Sequence, residues 1–548
     1  MRNQHVNAIV IGAGAGGGVV AKELAVSGLS VVLFERGGWP VFDKHSNDEL
    51  LSQRTMVLGA AFGPEAEKNP RVYIHADGRR TITTSRDGWM HHHIAACVGS
   101  GTVSYGGMAW RFMPEDFKMR STYGEVDGSA LEDWPISYDD LEHWYEKAEW
   151  ELGVAGDDSE NPFGGHRKKP YPMPPFRYDK DGEIISAAAK RLGLHPFPIP
   201  MLRNSIPYNN RPACIMNRTC VGHQCPVDAK NGTQNTVIPT AIASGNCELR
   251  IYCKVAEILS DEQNRVKGVR YFDARDRERI QTADMVIVAA SASETARLLL
   301  NSKTRYYPHG LGNNHDQVGR YWQGHAYTGA FGLFDFDIKS YTGPGATFGL
   351  CDFVHNVDGM IGGGMIANEF NRMPYLFSQT RPPGEARWGK GHKEFQVKNF
   401  RRMSELHGPV QEMPMYDARV MVDDKVKDHW GIPVAAITGT RHPVDHENCK
   451  FLSARAEEIL KEAGAYRTWQ SVGGRGDTGG FQHQCGTTRM GHDPEKSVVD
   501  KHGKVHGIDN LYVADGSLMV TGGGFNPVLT INALGYYVAN EIVKSWNS

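Results

Sequence analysis

Near its N-terminus the chain reads Gly12-x-Gly14-x-x-Gly17. Apolar patterning over His5 to Ile11 predicts a strand before it, and helical spacing over Val19 to Val26 predicts a helix after it. Each glycine then has a task. Gly12 permits a tight turn, Gly14 lets backbone N–H groups approach a pyrophosphate, and Gly17 lets the helix close on the strand. The helix N-terminus favours the anion. Ser30 to Phe34 reads as the next strand, and Glu35 at its end suits a ribose 2′-OH. The chemistry is dinucleotide binding, with NAD and FAD both open at this point.

A second constellation lies near the C-terminus. It runs through His483 and Gly486-Thr487, then Asp515-Gly516-Ser517, then three glycines and Asn526-Pro527. Leu511 to Ala514 reads as a strand and Pro527 to Trp546 as a helix, with Asn526 near its N-cap and Pro527 in its first turn. Backbone N–H groups there point at a polar cofactor atom, and Asp515 is placed to meet a sugar–phosphate chain. A third cluster, Cys214, Cys220 and Cys225 with His223, offers iron or zinc ligands. Its spacing is looser than Cys-x-x-Cys, so buried free thiols and no metal are expected.

These residues need a scaffold. Glu248 to Val255, Val266 to Phe272 and Met285 to Ala290 read as strands, the last followed by a helix over Glu294 to Asn301. Gly37 to Met90 looks irregular, with Asp77-Gly78 and Asp87-Gly88 turns, and Val98 to Phe112 is Gly-rich. Helices are expected over Leu131 to Leu152, Ile184 to Leu194 and Phe451 to Ala463. In the first of these Tyr138, Trp144, Tyr145 and Trp150 recur at core spacing. Strands are expected over Ala330 to Phe336, Ala418 to Asp423 and Val434 to Thr438. Between them Thr342 to Arg402, with Trp388, Phe395 and Phe400, reads as a long loop, either a lid or subunit contact or a partly disordered surface loop. The first lobe is thus built from both chain ends plus the middle, with a second lobe inserted.

Composition narrows the class. The 548 residues carry 60 Lys+Arg against 63 Asp+Glu, a net charge of -3, so nothing favours nucleic acid or an anionic membrane as partner. No stretch approaches the ~20 apolar residues that span a bilayer. The first residues lack the pattern of an export signal, and nine scattered cysteines argue against a disulfide framework, so a cytoplasmic enzyme is expected. The 62 glycines, many in short runs, suggest backbone packed against a ligand.

Taken together, these motifs resemble the glucose–methanol–choline (GMC) flavin oxidoreductases. The residues carrying this are Gly12, Gly14 and Gly17 with Glu35; Val98 through Gly99, Gly101 and Thr102 to Gly106, Gly107 and Met108; the His483 stretch; and Asp515-Gly516-Ser517 with Asn526-Pro527. Gly101 to Phe112 and Cys225 to Lys230 look most like the gluconate- and glucoside-dehydrogenase branch, with similarity to pyranose oxidases and glycoside 3-oxidases. The resemblance implies an α/β fold: a Rossmann-like FAD-binding domain on a parallel sheet, with an inserted substrate-binding domain on an antiparallel sheet with helices. The expected segments are 1–155, 206–320 and 471–548 for FAD and 156–205 and 321–470 for substrate. It implies FAD, held noncovalently because Ala109 and Trp110 follow Met108 where some relatives carry a linking His; the His91-His92-His93 run upstream is read as solvent-facing or core. Ala13, Ala15, Arg36, Val255 and Ala290 join the residues above as its expected contacts.

His483 stands at the family's base position and Asn526 at that of its partner. The implied reaction is oxidation of a secondary hydroxyl of a sugar or glycoside, at C3, with hydride passing to flavin N5 and onward to O2 or a redox partner. The alternative is a polyol, gluconate or sorbose dehydrogenase feeding a haem or quinone partner. A homo-oligomer or a small companion subunit fits either reading. A non-catalytic flavin binder is the third class, and retention of both His483 and Asn526 speaks against it.

Overall fold

The computed structural model describes residues 5–43, 47–49, 67–83, 94–369, 373–477 and 482–547. The His91-His92-His93 run lies outside them. Strand β1 (Val6–Ile11), helix α1 (Ala15–Val26) and strand β2 (Val31–Phe34) form the expected βαβ unit. β1 and β2 pair in parallel, Ala8 opposite Val31 through Ile11 opposite Phe34. On one flank β2 pairs with Cys247–Arg250, and on the other β1 pairs with the C-terminal half of Glu278–Val288. Leu511–Val513 then adds to that long strand in parallel. Ala8, Ile9, Val10, Val286, Ile287 and Val288 are fully buried, as a parallel sheet covered on both faces requires.

α1 packs against Val528–Asn547, which in turn packs against Tyr138–Leu152. The latter begins with a capping box: Asp140 Oδ2 accepts from Ser137 N at 2.8 Å, and Ser137 Oγ accepts from Asp140 N at 3.3 Å. Tyr138 and Tyr145 are core residues, whereas Trp150 is 39% exposed.

The inserted region is built on a six-stranded antiparallel sheet. Its order is Arg467–Ser471, His325–Leu333, Met403–Gln411, Ile366–Ala367, Phe348–Leu350 and Phe197–Pro198. Helix Pro443–Glu462 covers one face, burying Leu452, Ala456 and Ile459 against Ala326, Ala330, Leu406 and Val410. Strand side chains alternate, so the other face presents His325, Tyr327 and Phe331.

Several expectations are corrected. Thr342 to Arg402 is no plain loop: it supplies two strands of this sheet and the helices Pro374–Gln379 and Gly389–Asn399. Phe377 and Phe395 stack at 6.0 Å and bury against Phe331, while Trp388 is 84% exposed. Glu248 to Val255 is two strands, Cys247–Arg250 and Lys254–Ser260, because Tyr252 takes a left-handed φ of 54° between them. Within Gly37 to Met90 a hairpin, Arg71–Ile74 and Arg80–Thr83, closes about the Asp77-Gly78 turn. That hairpin joins Arg419–Lys427 and Pro433–Thr438 in a third, four-stranded sheet.

Candidate active site

The glycine turn sits where β1 ends and α1 begins. Gly12 takes a φ of 104°, and a Cβ there would lie 2.2 Å from Ala289 O. A Cβ on Gly17 would lie 2.0 Å from Gly12 O, so Gly17 serves helix–strand packing. Gly14 flanks the start of α1. Gly16, which the motif does not single out, is as tightly constrained: a Cβ there would lie 1.9 Å from Ala514 O. Glu35 accepts from Ala13 N at 3.1 Å and from Gly37 N at 2.9 Å. Burial raises its carboxyl above the usual range, and those two N–H donors oppose the shift.

One continuous cavity joins this turn to the C-terminal constellation. It is lined by Gly12, Gly14, Ala15, Glu35, Arg36, Gly101, Thr102, Gly106, Gly107, Met108, Val255, Ala290, Asp515, Gly516, Asn526 and Pro527, and at its far end by Tyr327, Glu369 and His483. With its open mouth it spans about 1840 Å³. Ala13, Gly17 and Gly99 are set back from the wall: Ala13 O accepts from Gly99 N at 2.8 Å, which ties the two glycine-rich segments together. Asp515 faces inward less freely than its position after a strand suggests. Its oxygens accept from Ser517 N, Ser517 Oγ, Ser291 N and Thr295 Oγ1 at 2.5–3.0 Å.

Four chain segments meet at the far end. His483, at a left-handed φ of 64°, places Nε2 3.5 Å from Asn526 Nδ2. Asn526 Nδ2 also donates to Tyr327 Oη and to Glu369 Oε1, each at 3.2 Å. Tyr327 Oη donates to the same Glu369 oxygen at 3.1 Å. Behind His483, away from the cavity wall, His325 brings Nδ1 within 2.8 Å of His483 Nδ1. Asn526 is 7% exposed, and its Oδ1 has no hydrogen-bond partner among the described residues. A buried acceptor left open costs about 1–3 kcal/mol. Here it leaves an acceptor at the cavity end.

Sequence reasoning missed His325, Tyr327 and Glu369. The only signal for the first two is their period-2 spacing on one strand, and that strand begins five residues before the stretch that composition marks. Glu369 follows the short strand Ile366–Ala367 and has no local motif at all. The cysteine loop lies apart from this end of the cavity. Of the three free thiols expected to be buried, only Cys220 is; Cys214 and Cys225 are half-buried, and no group of three metal-ligating side chains is assembled among the described residues. The loop is tied down by Lys230, whose Nζ donates to the carbonyls of Tyr105, Cys220 and His223 at 2.6–3.1 Å.

A phosphate cradle facing an imidazole–amide pair across one cavity is the arrangement of a dinucleotide-dependent alcohol oxidoreductase. The profile of the GMC oxidoreductases matches residues 129–327 and 414–535. The chain is 32% identical over 534 residues to 6'''-hydroxyparomomycin C oxidase of Streptomyces lividus, covering 96% of this chain and 89% of that one. It is 27% identical to the fructose dehydrogenase large subunit of Gluconobacter japonicus, covering 99% of each. Pyridoxine 4-oxidase from Mesorbium loti superposes with a TM-score of 0.63 at 17% identity, covering 98% of both chains.

The chain belongs to the GMC oxidoreductase family. It is an FAD-dependent enzyme acting on CH–OH groups, with the mixed α/β fold that its motifs led one to expect. No helix among the described residues is long and apolar enough to cross a membrane.

The glycine turn fits that cofactor, since backbone of Gly12, Gly14 and Gly16 lines the cavity with Glu35 beside it, and close packing at Gly12 and Gly16 leaves no room for side chains. Gly16→Ala is expected to destabilise the protein by about 1–3 kcal/mol, the usual result of overpacking, and to lower its flavin content. A fully yellow variant with an unchanged melting temperature would overturn the packing argument.

Proposed function

We propose that this enzyme oxidises a secondary hydroxyl of a sugar or glycoside, at C3, to the 3-keto product. The observation that carries the reading is the convergence of His483 Nε2, Asn526, Tyr327 and Glu369 on one end of the glycine-lined cavity. His483 accepts the hydroxyl proton, because an alkoxide is a far better hydride donor than an alcohol, and imidazole titrates near neutrality. Asn526 orients the carbinol through Oδ1 without titrating itself. Bound FAD supplies the hydride acceptor, flavin N5. Gly12, Gly14, Ala15, Glu35 and Arg36 would hold its adenosine and phosphate portion, with Val255 and Ala290 beside them. Gly101, Thr102, Gly106, Gly107, Met108, Asp515, Gly516 and Pro527 would hold the remainder. Tyr327 and Glu369 give the neighbouring hydroxyls of a sugar ring polar partners, which a simple aliphatic alcohol leaves unused. The similarity to an oxidase of 6'''-hydroxyparomomycin C supports a glycoside substrate.

Anaerobic mixing with glucose, O- and C-glycosides, gluconate, sorbitol and an aliphatic alcohol tests this. Glycosides are expected to bleach the flavin, and NMR of the product to place the carbonyl at C3. Bleaching by the aliphatic alcohol alone would overturn the sugar assignment, and a carbonyl elsewhere would overturn C3. The similarity to a fructose dehydrogenase large subunit favours a second reading, a polyol or gluconate dehydrogenase with a companion subunit and a haem or quinone acceptor. Readmitting air separates the two: prompt reoxidation supports O2 as acceptor, and persistent bleaching supports a redox partner.

FAD is held without a covalent bond on this reading, since Ala109 follows Met108. Acid precipitation is then expected to release the yellow colour into the supernatant. A fluorescent pellet overturns it.

A further inference from the structure

A second imidazole, His325, stands behind His483 with both ring nitrogens committed. His325 Nε2 lies 2.7 Å from Gly523 O, and its Nδ1 lies 2.8 Å from His483 Nδ1. A carbonyl oxygen only accepts, so His325 Nε2 carries the proton. In a neutral ring Nδ1 is then the acceptor. The hydrogen bond between the two Nδ1 atoms therefore takes its proton from His483. With Nδ1 of His483 protonated, its Nε2 bears the lone pair, facing Asn526 and the cavity. The contact with Asn526 agrees, because an amide Nδ2 only donates. The two rings meet edge to face, centroids 4.9 Å apart at 74°.

We infer that His325 is a positioning residue that locks His483 in the tautomer whose Nε2 serves as the base. The inference rests on reading His483 as the base, and it names what keeps that base competent.

The device works only while His325 is neutral. A protonated His325 would donate from Nδ1, push the His483 proton to Nε2 and occupy the lone pair that takes the substrate proton. The surroundings favour neutrality. His325 is 1% exposed, and burial depresses its pKa. Two carboxylates act in the opposite direction, Glu412 and Asp116. Each has its own partner: Glu412 pairs with Arg441 at 2.6 Å, and Asp116 with His355 at 2.9 Å. Gly324 N also donates to Glu412, at 3.2 Å. Among the described residues, His483 is faced by the ionisable groups of His325 and Tyr327 and, through Asn526, of Glu369.

Two variants separate the hydrogen bonds. His325→Asn keeps an acceptor near the Nδ1 position and gives up the donor to Gly523. His325→Gln reaches towards Gly523 and gives up the acceptor to His483. Wrong-tautomer substitutions in hydrolytic triads cost about 10⁴-fold in kcat. His325→Gln is expected to lose roughly 10²- to 10⁴-fold in kcat with KM little changed. His325→Asn is expected to recover most of that loss. Nitrogen-15 spectra of histidine-labelled protein, assigned by difference against His483→Ala, read the tautomer directly and without turnover. Wild type is expected to show His483 protonated at Nδ1 and the Gln variant a mixture.

Equal losses in both variants with an unchanged His483 signal would overturn the lock. So would a wild-type signal protonated at Nε2. A His483→Ala variant of undiminished activity would instead defeat the base assignment, and the spectra still report the lock by themselves.

Discussion

His483→Ala is expected to lower kcat by about 10²- to 10⁴-fold, the usual contribution of a positioned general base. Flavin content is expected to stay at the wild-type level. The side chain lies at the far end of the cavity from the glycine turn, and its removal leaves the backbone of Gly12, Gly14 and Gly16 untouched. Because the proton leaves in the transition state, the loss belongs in kcat and in kcat/KM together, with KM little changed. The rate of flavin bleaching after anaerobic mixing measures it without the acceptor step. Rates within threefold of wild type would end the assignment of His483.

Glu294→Gln is expected to destabilise the protein by about 3–5 kcal/mol, the range for removing one partner of a buried ion pair. One carboxylate here serves four cations. Arg71 lies 2.5 Å away, Lys254 and Arg297 3.3 Å, and Arg36 3.6 Å. The glutamate is held well below the usual carboxylate range: burial alone would raise it, and Lys254, Arg297, Arg71 and Arg36 more than reverse that. Burial pushes Lys254 down to about 8, with Glu294 opposing the fall. Asp428, 2.6 Å from Arg297, supplies a second anion, which also acts on Lys254. The cluster joins helix Ala292–Asn301 to the third sheet, so its loss loosens that sheet from the helix. Urea unfolding followed on apoprotein and loaded protein checks the figure. A midpoint shift worth under about 0.5 kcal/mol, the scale of a neutral surface change, would show that the cations tolerate one another.

How much of this was legible beforehand follows the range of each interaction. The βαβ unit, Glu35 and the helix after Asn526-Pro527 were readable because glycine turns, apolar runs and helix starts are local. Asp77-Gly78 was readable as a turn, but not as the tip of a hairpin whose partner strand, Pro433–Thr438, lies far along the chain. Met403–Gln411, a central strand, was missed because Gly408-Pro409 interrupts it and both of its faces are buried, which erases alternation. At the site, His483 and Asn526 could be named by resemblance. His325, Tyr327 and Glu369 could not, since their roles come from a sheet packing against another lobe.

The parallel sheet makes a demand on synthesis. β1 leaves the ribosome well before its neighbour Ala283–Val288, and Leu511–Val513, which adds to that strand, arrives later still. Helix α1 waits equally long for Val528–Asn547. During translation the apolar strands Val6–Ile11 and Val31–Phe34 therefore stand without most of their cover, while the antiparallel sheet, whose strands all lie between Phe197 and Ser471, can assemble ahead of them. Nascent chains stalled before Leu511 are the ones a chaperone would be called on to shield.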